Sequence, residues 1–188
     1  RTYEDFKAFV EQHPDLCVVE MDTVKGSREK GKCLLTMIFT KYDFMLLFLL
    51  ETASQQCVDE VFAYLQNALG LNIFRRLFPV ILTDNGSEFK NPAAIEKSRY
   101  GSPCTSIFYC DRMASWQKPH IERNHEFIRQ VLPKGKSFDK LTQADATLLA
   151  NHINSICRDS LDGKCPYDAA KDYIAKKLPY ILGLRKIP

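Results

Sequence analysis

At 188 residues, 45% hydrophobic and 26% charged, the chain has the size and composition of one globular domain with material for a core, which excludes a disordered chain. Its longest apolar run, Phe44–Leu50, is far short of the roughly 20 residues that a membrane-spanning helix needs. The net charge of +3 divides unevenly: residues 1–100 carry 12 Lys and Arg against 14 Asp and Glu, and residues 101–188 carry 14 against 9.

The opening Arg-Thr-Tyr-Glu-Asp has neither an initiator Met nor the apolar stretch of a signal peptide, so the chain is expected to be a piece of a longer protein. Leu16 to Val24 is a short apolar, β-branched run that predicts a strand buried on both faces. Gly31 to Thr40 and Phe44 to Glu51 predict two more strands, and the Lys41-Tyr42-Asp43 break between them predicts an antiparallel hairpin. Ser54 can cap a helix running to Leu69, with Val58, Val61, Phe62, Leu65 and Leu69 as its apolar stripe and Gly70 as its stop. A fourth strand is expected at Phe78 to Thr83, a short helix near Asn91 to Ser98 and a fifth strand at Thr105 to Tyr109. From Lys118 to Leu132 the pattern is helical, with Ile121, Ile128 and Leu132 on one face and Pro119 in the first turn, where its missing N–H costs nothing. Thr142 to about Arg158 predicts a long helix, and Tyr167 to Lys177 a shorter one. This order describes an α/β domain, a mixed five-stranded sheet flanked by helices, compatible with a ribonuclease H-like fold over residues 1–188.

The seven cysteines form an odd set without a CxxC pair, and several sit in apolar stretches, which suits free thiols in a reducing, cytoplasmic setting. Cys104, Cys110, His120 and His125 have spacings unlike those of a structural zinc site. The basic excess is concentrated in residues 112–140, where Arg112, Lys118, Arg123, Arg129, Lys134, Lys136 and Lys140 face only Glu122, Glu126 and Asp139; such a segment suits a polyanion or forms a solvated face.

Three carboxylates stand out by position. Asp22 lies inside an apolar strand, where a charge must be paired, hydrogen-bonded or bound to a cation. Asp84 follows the fourth strand, at the kind of strand end where ligand-binding groups collect in α/β sheets, although Asp-Asn-Gly alone is an ordinary turn. Glu122 lies on the basic helix, one position off its apolar stripe.

Taken together, the stretches Glu-Met-Asp-Thr-Val-x-Gly (20–26), Leu-Thr-Asp-Asn-Gly-Ser-Glu-Phe (82–89), Ser-Trp-Gln-Lys-x-x-x-Glu (115–122) and Ile-Arg-Gln-x-x-Pro-Lys-Gly (128–135) resemble the DDE (Asp-Asp-Glu) transposase and retroviral integrase superfamily, specifically the bacterial insertion-sequence-thirty type. A weaker match covers residues 161–169. The chain departs from that pattern at Pro119, Ile121 and His125, which flank Glu122 without touching it. The helix-turn-helix segment that such transposases carry ahead of the core is expected to lie outside this piece.

The resemblance implies a catalytic core in which Asp22, Asp84 and Glu122 hold two Mg²⁺ or Mn²⁺ ions. These would nick DNA at transposon ends and transfer the exposed 3′-hydroxyl into target DNA, with no covalent protein–DNA intermediate. The implied partners are DNA and further copies of the chain assembled on it, with no membrane and no small-molecule cofactor. The alternatives are a metal-dependent nuclease on the same fold that does not join strands, and a domesticated DNA-binding module that no longer catalyses. Lys118, Arg123, Lys134 and Lys136 are expected to form a phosphate track. Arg129 is expected either to contact phosphate or to pair with Glu126, and Trp116 either to stack on a displaced base or to anchor the core. Glu88 reads as a first-turn helix acid.

Overall fold

The computed structural model describes residues 1–27, 31–98 and 100–188. Five strands form the sheet: β1 (Val18–Lys25), β2 (Cys33–Phe39), β3 (Phe44–Leu50), β4 (Val80–Thr83) and β5 (Ser106–Tyr109). Their order is β3-β2-β1-β4-β5, so β1 is central. The first three strands run antiparallel, whereas β4 lies parallel to β1 and β5 parallel to β4. This is the mixed sheet expected. The β2–β3 hairpin closes through Tyr42 and Asp43, with Asp43 at φ 49°, a left-handed position that Asp tolerates better than most residues.

Every residue of β2 is buried, matching a run that is apolar except for Thr36. On β1 the alternation carries function: Val19 and Met21 enter one side of the core, while Glu20 and Asp22 point to the opposite face. Helices α5 (Pro119–Val131) and α6 (Gln143–Ser155) pack together on that face, α5 against β1 and β2 and α6 against β3. Asn154 and Gln143 of α6 hydrogen-bond the backbone of β3 at Met45, Leu47 and Leu49. The outer edge of the sheet is thereby covered rather than left open for pairing.

Helix α2 (Gln55–Leu69) begins at Ser54, whose hydroxyl accepts the Cys57 N–H, and stops at Gly70 with φ 81°. It packs with α3 (Leu71–Leu77) and α4 (Pro92–Glu96). Two α-helices were not anticipated. One is α3; the other is α1 (Tyr3–Gln12), opened by a capping box between Thr2 and Asp5 and held to β5 by Phe6 and Phe9 against Phe108.

Two expected helices end differently. The long helix stops at Ser155 rather than near Arg158, because Arg158 turns inward to bond Asn124. The helix expected over Tyr167 to Lys177 is instead two short ones, α7 (Pro166–Ala169) and α8 (Lys177–Leu182). Between them the chain bends so that Tyr173 packs 4.9 Å from Tyr42 and Ile174 is buried, side-chain burial that a continued helix would forfeit.

The exit from β1 also matters for the site. A Cβ at Gly26 would lie 2.7 Å from the Lys136 carbonyl oxygen, so only glycine lets the 136–138 backbone cross there. That crossing brings the basic loop after α5 beside the end of β1.

Candidate active site

Strands β1 and β4 pair in parallel over Val18–Glu20 and Val80–Leu82, and β4 ends at Thr83 while β1 runs on to Lys25. Asp22 lies in the middle of β1, just past the paired stretch, and Asp84 follows the last residue of β4. Thr83 ties the end of β4 to β1 by donating its hydroxyl to the Met21 carbonyl at 3.1 Å. Glu122 reaches the same place from the first turn of α5. The three carboxylates line one cleft, together with Lys118, Cys110, Asp111 and residues 113–115. The crevice at the carboxyl ends of adjacent strands is where α/β sheets gather ligand groups.

The first turn of α5 is fixed by tertiary contacts rather than by a local cap. The Ile121 N–H donates to the Glu20 carboxyl at 2.7 Å, so a buried acid on β1 satisfies a free N–H of the helix's first turn. The Lys118 ammonium donates to Asp22 Oδ2 at 2.8 Å and to the Met21 carbonyl at 3.2 Å. His120 Nδ1 lies 2.8 Å from Asp43 Oδ1, and Ser160 donates to the other oxygen of Asp43. Arg158, 3.9 Å from Asp43, extends this network to Asn124 of α5. The hairpin tip, α5 and the segment after α6 thus meet around one buried aspartate. Further along α5, His125 Nε2 sits 2.9 Å from the Thr36 hydroxyl, which also lies 3.1 Å from the Asp22 carbonyl.

Electrostatically the cleft is crowded with negative charge. Burial raises the Asp84 carboxyl above its ordinary range, and the charge of Asp22 adds to that while Lys118 opposes it. Glu122 is raised for the same reasons. Burial pushes Glu20 up to about 7 despite the Ile121 hydrogen bond, and it pulls His125 down to about 4. Because Glu20 binds its proton more tightly in the folded state, its stabilising contribution is present below pH 4.5 and is lost as pH rises through about 7. Glu20→Gln should therefore flatten the fall in melting temperature between pH 4.5 and about 7, measured by thermal denaturation across that range.

Several expected residues stand elsewhere than the sequence suggested. Lys118, placed on the surface phosphate track, is 2% exposed and bound to Asp22. Glu88 does lie in the first turn of a short 3-10 helix, as read, but it is buried and accepts the Thr23 hydroxyl at 2.7 Å. Arg129 is half-buried and donates to the Lys25 carbonyl at 3.1 Å rather than pairing with Glu126, tying α5 to the exit of β1. Trp116 is 73% exposed and so is not a core anchor. Arg123, Lys134 and Lys136 are exposed, as a phosphate track requires. Glu20 and Asp43 were missed as site-shaping residues; the signal available for Glu20 was its spacing of two from Asp22, which puts both on one strand face.

The chemistry of the donor set suits a hard divalent cation, since carboxylate oxygens are the ligands such ions favour. As placed, however, no group of three or more His, Cys, Asp or Glu side chains among the described residues is arranged to hold a metal ion. The positive charge that these carboxylates share here is the Lys118 ammonium.

In sequence the chain is similar to proteins of mobile elements. The chain is 25% identical over 156 residues to an insertion-sequence transposase of Bacteroides fragilis, covering 83% of this chain and 45% of the relative. It is 28% identical over 146 residues to a protein designated an integrase in a Spiroplasma virus, covering 77% and 42%. A Cupriavidus metallidurans insertion-sequence transposase matches at 26% over 69 residues, 37% of this chain and 20% of the relative. The chain thus spans less than half the length of these curated relatives. No family model matches it. Among solved structures, the BIV integrase catalytic core domain superposes with a TM-score of 0.54 at 14% identity, over 82% of this chain and 93% of that one. The fold is therefore the ribonuclease H-like fold of an integrase catalytic core. The sequence relatives are transposases and an integrase, and the fold is that of an integrase catalytic core.

Proposed function

We propose that this chain is the catalytic core of a DDE transposase, cutting DNA at the ends of a mobile element and joining the exposed 3′-hydroxyl to target DNA. The observation that carries the reading is the convergence of Asp22, Asp84 and Glu122 in one cleft, from three elements of an integrase-type fold. Two Mg²⁺ or Mn²⁺ ions, when bound, would supply the Lewis acidity that activates an attacking oxygen and stabilises the leaving one during displacement at phosphorus. By analogy with the superfamily, Asp22, Asp84 and Glu122 would together hold the ions.

The remaining work falls to the chain's own residues. Glu20 and the Asp43 network hold the first turn of α5 against β1, which fixes Glu122 relative to Asp22. Gln117 and Asp111 bond each other reciprocally at 2.8 Å and brace the loop on the cleft's rim. Trp116 and Met113 project from that loop, 73% and 96% exposed, positioned to stack against or wedge beside an unpaired base. Arg123, Lys134 and Lys136 follow the DNA backbone, and assembly of several copies on DNA belongs to the same reading.

Two measurements test this. A pre-cut element end, a target duplex and Mn²⁺ should yield joined strands; cutting without joining favours a simple nuclease, and binding without either reaction favours a non-catalytic module. Affinity for duplex DNA should fall steeply with salt, and Arg123→Ala, Lys134→Ala and Lys136→Ala should each lower the salt slope by about 1 without changing sequence preference. Salt-insensitive binding would remove the phosphate track.

A further inference from the structure

A lysine at position 118 is hard to explain by packing or by the helix it precedes. It is 2% exposed, and an ammonium out of reach of water is costly unless it is fully paired. It occupies the residue immediately before α5, the end at which aligned peptide dipoles disfavour positive charge. An apolar side chain of similar length would fill the space without either penalty. Three contacts account for it: the hydrogen bond to the Met21 carbonyl, the ion pair with Asp22 at 2.8 Å, and its place on the wall of the cleft that Asp84 and Glu122 share. The carboxyls of Asp84, Glu122 and Glu20, all raised by burial, are each drawn down again by this one ammonium.

We propose, building on the transposase reading above, that Lys118 is the resident counter-ion of the site: its ammonium neutralises Asp22 until a divalent cation enters, and the cation binds by displacing it. Asp22 Oδ1 already accepts the Thr23 N–H at 2.7 Å, and Oδ2 is the oxygen that Lys118 engages. A divalent cation using Oδ2 must therefore replace the ammonium, because two positive centres within a few ångströms of one oxygen repel strongly in a partly buried cleft. Lys118 thus sets the metal affinity of the DNA-free core, and its amine becomes accessible when the metal is bound. It acts through Asp22 and is a positioning residue.

Two measurements on the 188-residue chain without DNA decide the matter. In calorimetric titration with Mn²⁺, Lys118→Met should bind the ion about tenfold more tightly than the unmodified chain, whereas Lys118→Arg, which keeps the charge, should not. In the unmodified chain, an amine-acylating reagent read out by peptide mass spectrometry should leave Lys118 protected in EDTA and label it in saturating Mg²⁺. Circular dichroism reports whether Lys118→Met has folded, and if it has not, the labelling alone decides. A folded Lys118→Met with unchanged affinity, or a Lys118 equally protected with and without metal, overturns the proposal. Asp22→Asn separates its failure from that of the parent reading. If Asp22→Asn does not weaken Mn²⁺ binding, the metal-site reading itself fails. If Asp22→Asn abolishes binding while Lys118→Met leaves it unchanged, only the counter-ion role is lost.

Discussion

Asp22→Asn, Asp84→Asn and Glu122→Gln should each lower metal-dependent DNA cleavage and joining by about 10³-fold or more, measured with a pre-cut and an uncut element end in the protein that carries this core. Each change keeps side-chain shape and removes one negative charge from the cleft. Because the three carboxylates would act as one metal-holding unit, a double change should cost scarcely more than a single one. Glu126→Gln is the matched control: it is on the same helix, is exposed, and should retain activity. An active Glu122→Gln beside an inactive Glu126→Gln would move the third ligand one helical turn along α5. Full activity in all three cleft variants would remove the transposase chemistry altogether. DNA binding should survive every one of them, since the exposed cations at Arg123, Lys134 and Lys136 are untouched.

The sheet was legible because its strands are written in local pattern. β2 and β3 are apolar runs, broken only by Thr36, with four residues between them, a pattern that reads as a buried hairpin. The cap of α2 at Ser54 and its stop at Gly70 were likewise local signals. So was the start of α5 at Pro119. The helix α1 was equally local, a Thr2–Asp5 capping box, but its weakly apolar sequence draws stability from Phe108 of β5, a contact that no window of sequence contains.

The site divides along the same line. Asp22, Asp84 and Glu122 could be picked out because each violates its local context or matches a motif. The residues that shape their surroundings could not, because their partners are remote: Glu20 meets Ile121 across 101 residues, His120 meets Asp43 across 77, and Lys118 meets Asp22 across 96. Lys118 illustrates the difficulty. In a basic segment it looks like one more surface charge, and only the folded chain shows the ammonium turned inward onto a carboxylate.

That inward turn makes the cleft carboxylates unequal in stability. Asp22→Asn should destabilise the chain by about 3 kcal/mol at pH 7, because it leaves the buried Lys118 ammonium without its counter-charge. Asp84→Asn should instead be neutral or stabilising at pH 7. Burial and the charge of Asp22 raise the folded-state pKa of Asp84, so its ionised form weakens the fold. That weakening is present above the raised pKa and disappears as pH falls below the ordinary carboxylate value, so the advantage of Asp84→Asn should shrink on acidification. Urea denaturation of the metal-free chain measures both. The pairing makes a stricter demand: Asp22→Asn combined with Lys118→Met removes both buried charges and should recover most of what Asp22→Asn lost. The two changes should therefore be strongly non-additive. If the double variant is as unstable as the sum of the singles, the ammonium is not what holds Asp22 in place.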